Sequence, residues 1–404
     1  MVSILSIKDL SVNGSTVLVR VDFNVPLDKN AKITDDSRIQ AALPTIKYLL
    51  SRGAAVILMS HLGRPKGKWV PGMSLRPIAE HLQSLLGRPV SMAADCVGEQ
   101  VNTQAQALRK GQLLLLENLR FHQAETMPDS DPSFAKQLAA LGDYYVNDAF
   151  GTAHRAHSST VKVAQAFPGR AAAGFLILRE IEMLDPLKTD PKRPFIAIVG
   201  GAKVSSKLGV VDALVETVDT LVIGGAMAFT LLKAQGVLVG RSLCENDLLD
   251  RAAELIARCK ERNVQLLLPV DIVAAEECRT GVASHTVTVV DGIPDTEMGL
   301  DIGPESVKQI ISVCRDAKTV LWNGPMGVFE VSPFDMGTVS IAHALSCLDA
   351  VTVVGGGDSV DAVNRAGVAD KISHLSTGGG ACLEYIEYGH LPGIDALKQE
   401  CTQA

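Results

Sequence analysis

Ten short apolar runs, each followed by a polar or glycine-rich break and then a helical period, dominate this 404-residue chain. In the first part they are Val17–Val21, Ala55–Met59, Leu113–Leu116 and Tyr144–Val146. In the second they are Phe195–Val199, Leu221–Ile223, Gln265–Leu268, Val320–Trp322, Val351–Val354 and Lys371–Leu375. Apolar runs bounded by turns suit strands covered on both faces. Between them, Asp35 or Asp36 is placed to cap a helix carrying Ile39, Leu43, Ile46 and Leu50, with Gly53 just past its end. Leu75–Leu86 repeats the pattern and Gly87 stops it. Parallel neighbours need crossover helices, so the chain is expected to be α/β, built of doubly wound, Rossmann-like parallel sheets.

The length is roughly two to three times that of a typical domain, which favours two lobes. Pro168 and Gly169 interrupt the pattern within Phe167–Ala173. The expected lobes are therefore 1–170 and 171–390, joined by a hinge helix over Leu176–Leu184. Pro186, Pro191 and Pro194 would then lead into the strand at Phe195. Charge divides at the same place. Residues 1–170 carry 19 Lys/Arg against 14 Asp/Glu, while the remainder carry 19 against 31, for a total of −7. That balance argues against a nucleic-acid partner.

Eight cysteines stand far apart with no C-x-x-C, which suits neither a disulfide scaffold nor zinc, and they are expected to be buried reduced thiols. The start, MVSILSIKDL, lacks the pattern of a secretory signal, and no run approaches the ~18 apolar residues of a membrane span. A cytoplasmic protein without a membrane partner is expected.

Polar residues gather where the strands end. The first lobe reads Arg20-Val-Asp22-Phe-Asn24, Ser60-His61-Leu-Gly-Arg64, Glu117-Asn118-Leu-Arg120 and Asn147-Asp148, the last running on to His154-Arg155. The carboxyl edge of an open parallel sheet is where ligands bind. Arg64, Arg120, Arg155 and His61, with Arg38 at a nearby helix start, would converge as cations on one crevice suited to phosphate or carboxylate oxygens. His154 and His157 have no third ligand nearby and are assigned hydrogen-bonding or packing roles.

The second lobe has glycine-rich breaks at the same edge: Gly200-Gly201-Ala-Lys203-Val-Ser-Ser-Lys207, Gly224-Gly225, Asn323-Gly324-Pro325, Gly355-Gly356-Gly357-Asp358-Ser359 and Gly378-Gly379-Gly380. Glycine lets backbone amides approach phosphate oxygens, and a following helix points its positive end there. Lys203 and Lys207 are read as one turn apart on such a helix start. Asp358 is a candidate to sit beside a Mg²⁺ held mainly by nucleotide phosphates. Neither a P-loop signature nor an early G-x-G-x-x-G is present, which argues against a P-loop NTPase and a Rossmann dehydrogenase. Phosphoryl transfer between a small anion and a nucleotide fits both lobes. Without a Cys or Ser beside an obvious base, direct in-line transfer is expected. A non-enzymatic, two-lobed anion-binding protein would explain the arginines but leaves the lysines, Asp358 and the glycines without a purpose.

The motifs RVDFNVP (20–26), SHLGRP (60–65), ENLRF (117–121), FGTAHRAHSS (150–159), GGAKVSSK (200–207), NGPMGVFE (323–330), GGGDS (355–359) and STGGGA (376–381) resemble the phosphoglycerate kinase family, in family order. The resemblance implies reversible transfer from 1,3-bisphosphoglycerate to ADP, giving 3-phosphoglycerate and ATP, with Mg²⁺ as cofactor, in a monomer whose lobes close by hinge bending. It implies that Asp22, Phe23, Asn24, Arg38, His61, Leu62, Gly63, Arg64, Arg120 and Arg155 bind the glycerate. Gly200, Gly201, Lys203, Lys207, Gly224, Gly225, Gly299, Asn323, Pro325, Glu330, Gly356, Gly357, Asp358 and Ser359 would serve the nucleotide, with Asp358 near the metal. Arg38, Lys207, Gly356 and Gly379 would act on the transferring group. It also implies that the tail, 391–404, returns to the first lobe. Two departures from the common family pattern stand out: Ser206 where many members carry Asp, and Thr296-Glu297 where many read Gly-Trp.

Overall fold

In the computed structural model, which describes residues 3–399, each of the ten apolar runs contains a strand. The chain divides into two units, one formed by the chain up to Glu182 with the segment from His390, the other by Met183–Gly389.

The first unit holds β1 (Ser3–Ile4), β2 (Thr16–Val21), β3 (Ala55–Met59), β4 (Ser91–Met92), β5 (Leu113–Leu115), β6 (Tyr144–Asp148) and β7 (Ala171–Ala173). Six of these form a parallel sheet in the order β4-β5-β3-β2-β6-β7. Every residue of β3 is buried, as expected of a strand covered on both faces. The helix Ser37–Ser51 lays Ile39, Leu43, Ile46 and Leu50 into that core. Its start is held by Asp35, whose carboxylate accepts from the Ser37 amide at 2.9 Å. Asp36 instead accepts from His81 Nε2 at 2.8 Å and from Gln40. Gly87 ends the helix Arg76–Leu86 in the left-handed conformation, φ +61°.

Register places Arg20 opposite both Met59 and Asn147, so β2, β3 and β6 end level. The polar segments that follow them therefore leave one edge. The returning segment packs Leu391, Ile394 and Leu397 into this unit, and Lys398–Gln399 pairs antiparallel with β1. Asn147 Nδ2 donates to the Gly393 carbonyl at 3.3 Å. The last part of the expected tail, 400–404, including Cys401, lies outside the described residues.

The second unit has β8 (Phe195–Val199), β9 (Thr220–Ile223), β10 (Gln265–Leu267), β11 (Asp271–Ala275), β12 (Ser284–Thr288), β13 (Met298–Ile302), β14 (Thr319–Asn323), β15 (Val351–Gly355) and β16 (His374–Leu375). A second six-stranded parallel sheet runs β10-β9-β8-β14-β15-β16. Asn323 lies opposite Val199 and Gly355, so these strands also end level. A three-stranded antiparallel sheet, β12-β11-β13, is added to it.

Three sequence expectations change. The helix expected over Leu176–Leu184 spans Phe175–Thr189, with Pro186 inside it. One missing N–H is tolerated there because Leu184 and Leu187 are buried on either side. The run Lys371–Leu375 shortens to β16, since Ala369–Lys371 forms a 3₁₀ turn. Among the described cysteines, Cys278 and Cys347 are exposed and Cys244 is half-buried rather than buried. Among the described residues no helix is long and apolar enough to cross a membrane.

Candidate active site

The end of β2 sets the first cluster. Arg38, at the start of its helix, donates from Nη1 to the Asn24 carbonyl at 2.9 Å and to Asp22 Oδ2 at 3.3 Å. Asn24 Oδ1 accepts from the Gly63 amide at 2.9 Å, and Arg120 Nη1 donates to the Gly63 carbonyl at 2.9 Å. The loops after β2, β3 and β5 are thus tied through Gly63, which sits at φ +63° where a side chain would also meet Met73. Arg120 Nε is buried with no partner among the described residues, a donor left for a ligand oxygen. Burial and then the Arg20 charge push Arg120 down to about 10, still cationic at neutral pH.

Arg64 and Arg155 are exposed. Arg64 lies close enough to Arg120, and Arg155 to His154 and His157, for their charges to depress those groups. Phe23 and Leu62 bury their side chains in the core, and their backbone is tied within the protein, the Phe23 amide donating to Ser60 Oγ at 2.9 Å and the Leu62 carbonyl accepting from Asn118 Nδ2 at 2.8 Å. His61 departs from its expected role as a cation. Burial, then the charges of Arg20 and Arg120, hold it well below its ordinary value. His154 falls to about 4 and His157 to about 3, burial being the largest cause in each.

The second cluster forms where β8, β14 and β15 end. Lys207 Nζ donates to the Gly200 carbonyl (2.6 Å), the Asn323 carbonyl (3.1 Å) and Asn323 Oδ1 (2.6 Å). Burial lowers it to about 8, with Asp358 opposing the shift. The helix here begins only at Leu208, so Lys203 lies in the preceding turn and is exposed, not one helical turn from Lys207. Ser206 donates to the Lys203 carbonyl at 2.8 Å and closes that turn.

A cleft of ≈ 320 Å³ opens beside this cluster, lined on its polar side by Gly201, Gly225, Pro325, Glu330 and Asp358. Gly225 has φ +65°, and a Cβ there would lie 2.6 Å from the Gly201 amide nitrogen, so backbone meets backbone. Gly356 caps the helix Gly357–Arg365 at φ +90°, and Ser359 accepts from the Gly324 amide. Asn323 Nδ2 is buried without a partner among the described residues and lies 3.0 Å from where a Gly356 Cβ would stand. Gly379 caps the helix Gly380–Tyr388. Gly200 and Gly224 press against Pro325 and Met326.

Sequence reasoning missed the apolar side of this cleft: Phe229, Leu243, Ile272, Met298, Leu300 and Val328. Half of it depends on the three-stranded sheet, where β11 brings Ile272 and β13 brings Met298 and Leu300. Gly299 packs directly on Phe229 and donates to Ser242 Oγ at 2.9 Å. The Thr296-Glu297 turn is stitched to Arg241, whose Nε donates to the Thr296 carbonyl at 3.0 Å.

Asp301 also lines the cleft, buried, accepting from the amides of Gly337 (2.7 Å) and Ile302 (2.9 Å). Burial raises its carboxyl to about 8. A raised folded pKa gives stability that is full below the unfolded value, near pH 4, and is lost as pH rises toward 8. Asp301→Asn should therefore match the parent near pH 4 and melt progressively higher than it up to pH 8.5. Parallel melting curves across that range would contradict the assignment.

Asp358 offers one exposed carboxylate at the cleft, next to backbone amides suited to phosphate. A hard divalent cation completed by nucleotide oxygens fits that set. Among the described residues, the one trio of His, Cys and Asp or Glu with converging ligand atoms is Asp95, Cys96 and His122, in the other unit.

Guanidinium groups at one sheet edge and glycine amides with an ammonium at the other describe a two-unit phosphotransferase for a small anion and a nucleotide. A sequence profile of phosphoglycerate kinase matches residues 7–389. Phosphoglycerate kinase of Moorella thermoacetica is 55% identical over 396 residues, covering 98% of this chain and 99% of the relative. That of Synechococcus elongatus is 54% identical over 395 residues, covering 97% of each. Among solved structures, phosphoglycerate kinase from Coxiella burnetii superposes with a TM-score of 0.86 at 38% identity, covering 98% of both chains. The Pyrococcus horikoshii enzyme gives 0.85 at 31%, covering 97% of this chain and 98% of that one. The chain belongs to the phosphoglycerate kinase family.

Proposed function

We propose that this chain catalyses the reversible in-line transfer of a phosphoryl group from 1,3-bisphosphoglycerate to ADP, giving 3-phosphoglycerate and ATP. Besides family membership, one observation carries the reading: each unit ends its parallel sheet in a separate anion site, and the two sites differ in chemistry. The guanidinium crevice, with Arg38, Arg64, Arg120 and Arg155, suits a compact glycerate bearing phosphate and carboxylate. The glycine-floored cleft with its apolar wall suits a base, a ribose and a phosphate chain.

Asp22 and Asn24 orient Arg38 through the contacts described above, and Arg120 holds the glycerate phosphate or carboxylate. Lys207 and the amides after Gly356 and Gly379 neutralise charge on the phosphoryl oxygens. Asp358, together with nucleotide phosphate oxygens, would hold a Mg²⁺, which would supply further charge neutralisation. No general base is required in the ATP-forming direction, because the leaving group is a carboxylate. In-line transfer requires the two ligands to be brought together with water excluded, which calls for hinge closure of the units. A cytoplasmic monomer is the state in which this chemistry is proposed to run.

A coupled assay of ATP formation from 1,3-bisphosphoglycerate and ADP tests the reading, and absence of turnover by the pure protein defeats it. For Arg120→Ala, the Kd for 3-phosphoglycerate by calorimetry should rise by about tenfold or more, with kcat less affected. An unchanged Kd would remove Arg120 from the crevice.

A further inference from the structure

Behind the crevice lies a fully buried chain of polar groups that the mechanism does not use. Arg20, in β2, has no exposed surface. Its Nε donates to Ser159 Oγ at 2.9 Å, its Nη1 to the Val21 carbonyl, and its Nη2 lies 3.1 Å from His61 Nδ1. Ser159 is fixed in turn, because its Oγ donates to Glu125 Oε1 at 2.7 Å and its amide donates to Glu125 Oε2 at 3.0 Å. The wide turn Ser158–Lys162 that carries it is tied by Tyr145, whose hydroxyl donates to the Ser159 carbonyl at 2.8 Å.

A guanidinium has five hydrogens to donate and no lone pair to accept with. The contact at His61 Nδ1 therefore has one chemical reading: Nδ1 is the acceptor, and the single ring hydrogen is on Nε2. A protonated imidazole would set two donors against each other in a site closed to water. We infer that Arg20, seated by Ser159 and Glu125, is a positioning residue that locks His61 into the neutral Nε2–H tautomer, so that His61 enters the glycerate site as an uncharged donor. The last clause rests on the glycerate reading given above; the lock itself does not.

The surroundings agree. Arg20, Arg120, Arg38 and His157 all disfavour a proton on Nδ1, and burial does so more strongly than any of them. Among the described residues, one carboxylate, Asp22, comes as near as 4.0 Å to Nδ1, beyond hydrogen-bond reach. His61 Nε2 makes no hydrogen bond to any described residue, leaving its hydrogen for a ligand oxygen. A neutral donor can pair with a hydroxyl as well as with an anionic oxygen, which adds selectivity for the glycerate carbon frame to a crevice whose arginines recognise charge.

Long-range ¹H–¹⁵N spectra of the full chain, labelled at its imidazole nitrogens, read the tautomer directly. His61→Gln identifies which signals belong to His61. The wild-type ring should show an unprotonated Nδ1 and a protonated Nε2, unchanged from pH 8 to pH 5.5. An Nδ1–H tautomer, or titration near the ordinary value of about 6.5, overturns the inference. In Ser159→Ala the His61 signals should move toward a tautomer mixture, and the Kd for 3-phosphoglycerate should rise about 5- to 10-fold with kcat within about twofold. Ser159→Thr, which keeps the hydroxyl, should restore both. An unmoved tautomer and an unmoved Kd in Ser159→Ala would overturn the part given to Ser159 and Glu125. If that variant does not fold, the wild-type spectrum still decides the lock. A wild-type protein with the expected spectrum but no affinity for 3-phosphoglycerate would keep the lock and defeat the glycerate reading.

Discussion

Arg38→Ala is expected to lower kcat by about 10²-fold or more, the scale of losing one preorganised charge stabiliser. The side chain is about one-third exposed, with a 36% accessible surface, and its ion pair with Asp22 is a single contact at 3.3 Å. Such a pair contributes about 0–1 kcal/mol, so the variant should stay folded and the loss should belong to the reaction. Arg38→Lys should recover little, because Nη1 alone holds both Asp22 and the Asn24 carbonyl, which leaves the rest of the planar guanidinium for a ligand oxygen, and a single ammonium cannot serve both. Steady-state turnover close to the parent's in Arg38→Ala would remove Arg38 from the transferring phosphoryl group.

Lys207→Met should cost about 10²- to 10³-fold in kcat and should also change how the nucleotide binds with pH. In the free protein this ammonium is held by three oxygens and lowered by burial to about 8. A phosphate oxygen favours the charged form and restores the proton. ADP binding near pH 8.5 should therefore take up a proton, and affinity should fall as pH rises through about 8. Calorimetry in two buffers of different ionisation enthalpy measures that uptake. Its presence in the parent and its absence in Lys207→Met would tie it to this group. Equal uptake in both proteins would place the titration elsewhere.

Much of this was legible in the sequence because strand ends are. An apolar run fixes a buried parallel strand, and whatever follows it must emerge at the carboxyl edge, so Asp22, His61, Arg120, Lys207 and Asp358 were placed without coordinates. What strand ends do not encode was lost. β12 is largely exposed and polar, reading Ser-His-Thr-Val-Thr, and no apolar run marks it. Without that antiparallel sheet the part of the wall formed by Ile272, Met298 and Leu300 had no visible origin. Lys203 was misplaced because GGAKVSSK carries no signal for where its helix begins; the turn continues to Lys207. The charge of His61 was misread for a different reason. A histidine at a strand end looks like a cation until the guanidinium behind it is seen, and Arg20 points inward from a strand whose alternation gives no hint that an arginine is fully buried.

The pairing of Ser3–Ile4 with Lys398–Gln399 sets an order of events during synthesis. A nascent chain that has reached residue 389 already contains the whole of the second unit. It still lacks Leu391, Ile394 and Leu397, which fill the first. The unit made first is thus the one completed last, and its closing contact joins residues nearly 400 positions apart. Until then its β1 edge stays open, so a chain truncated after residue 389 should be cut by protease in its first unit while the second resists.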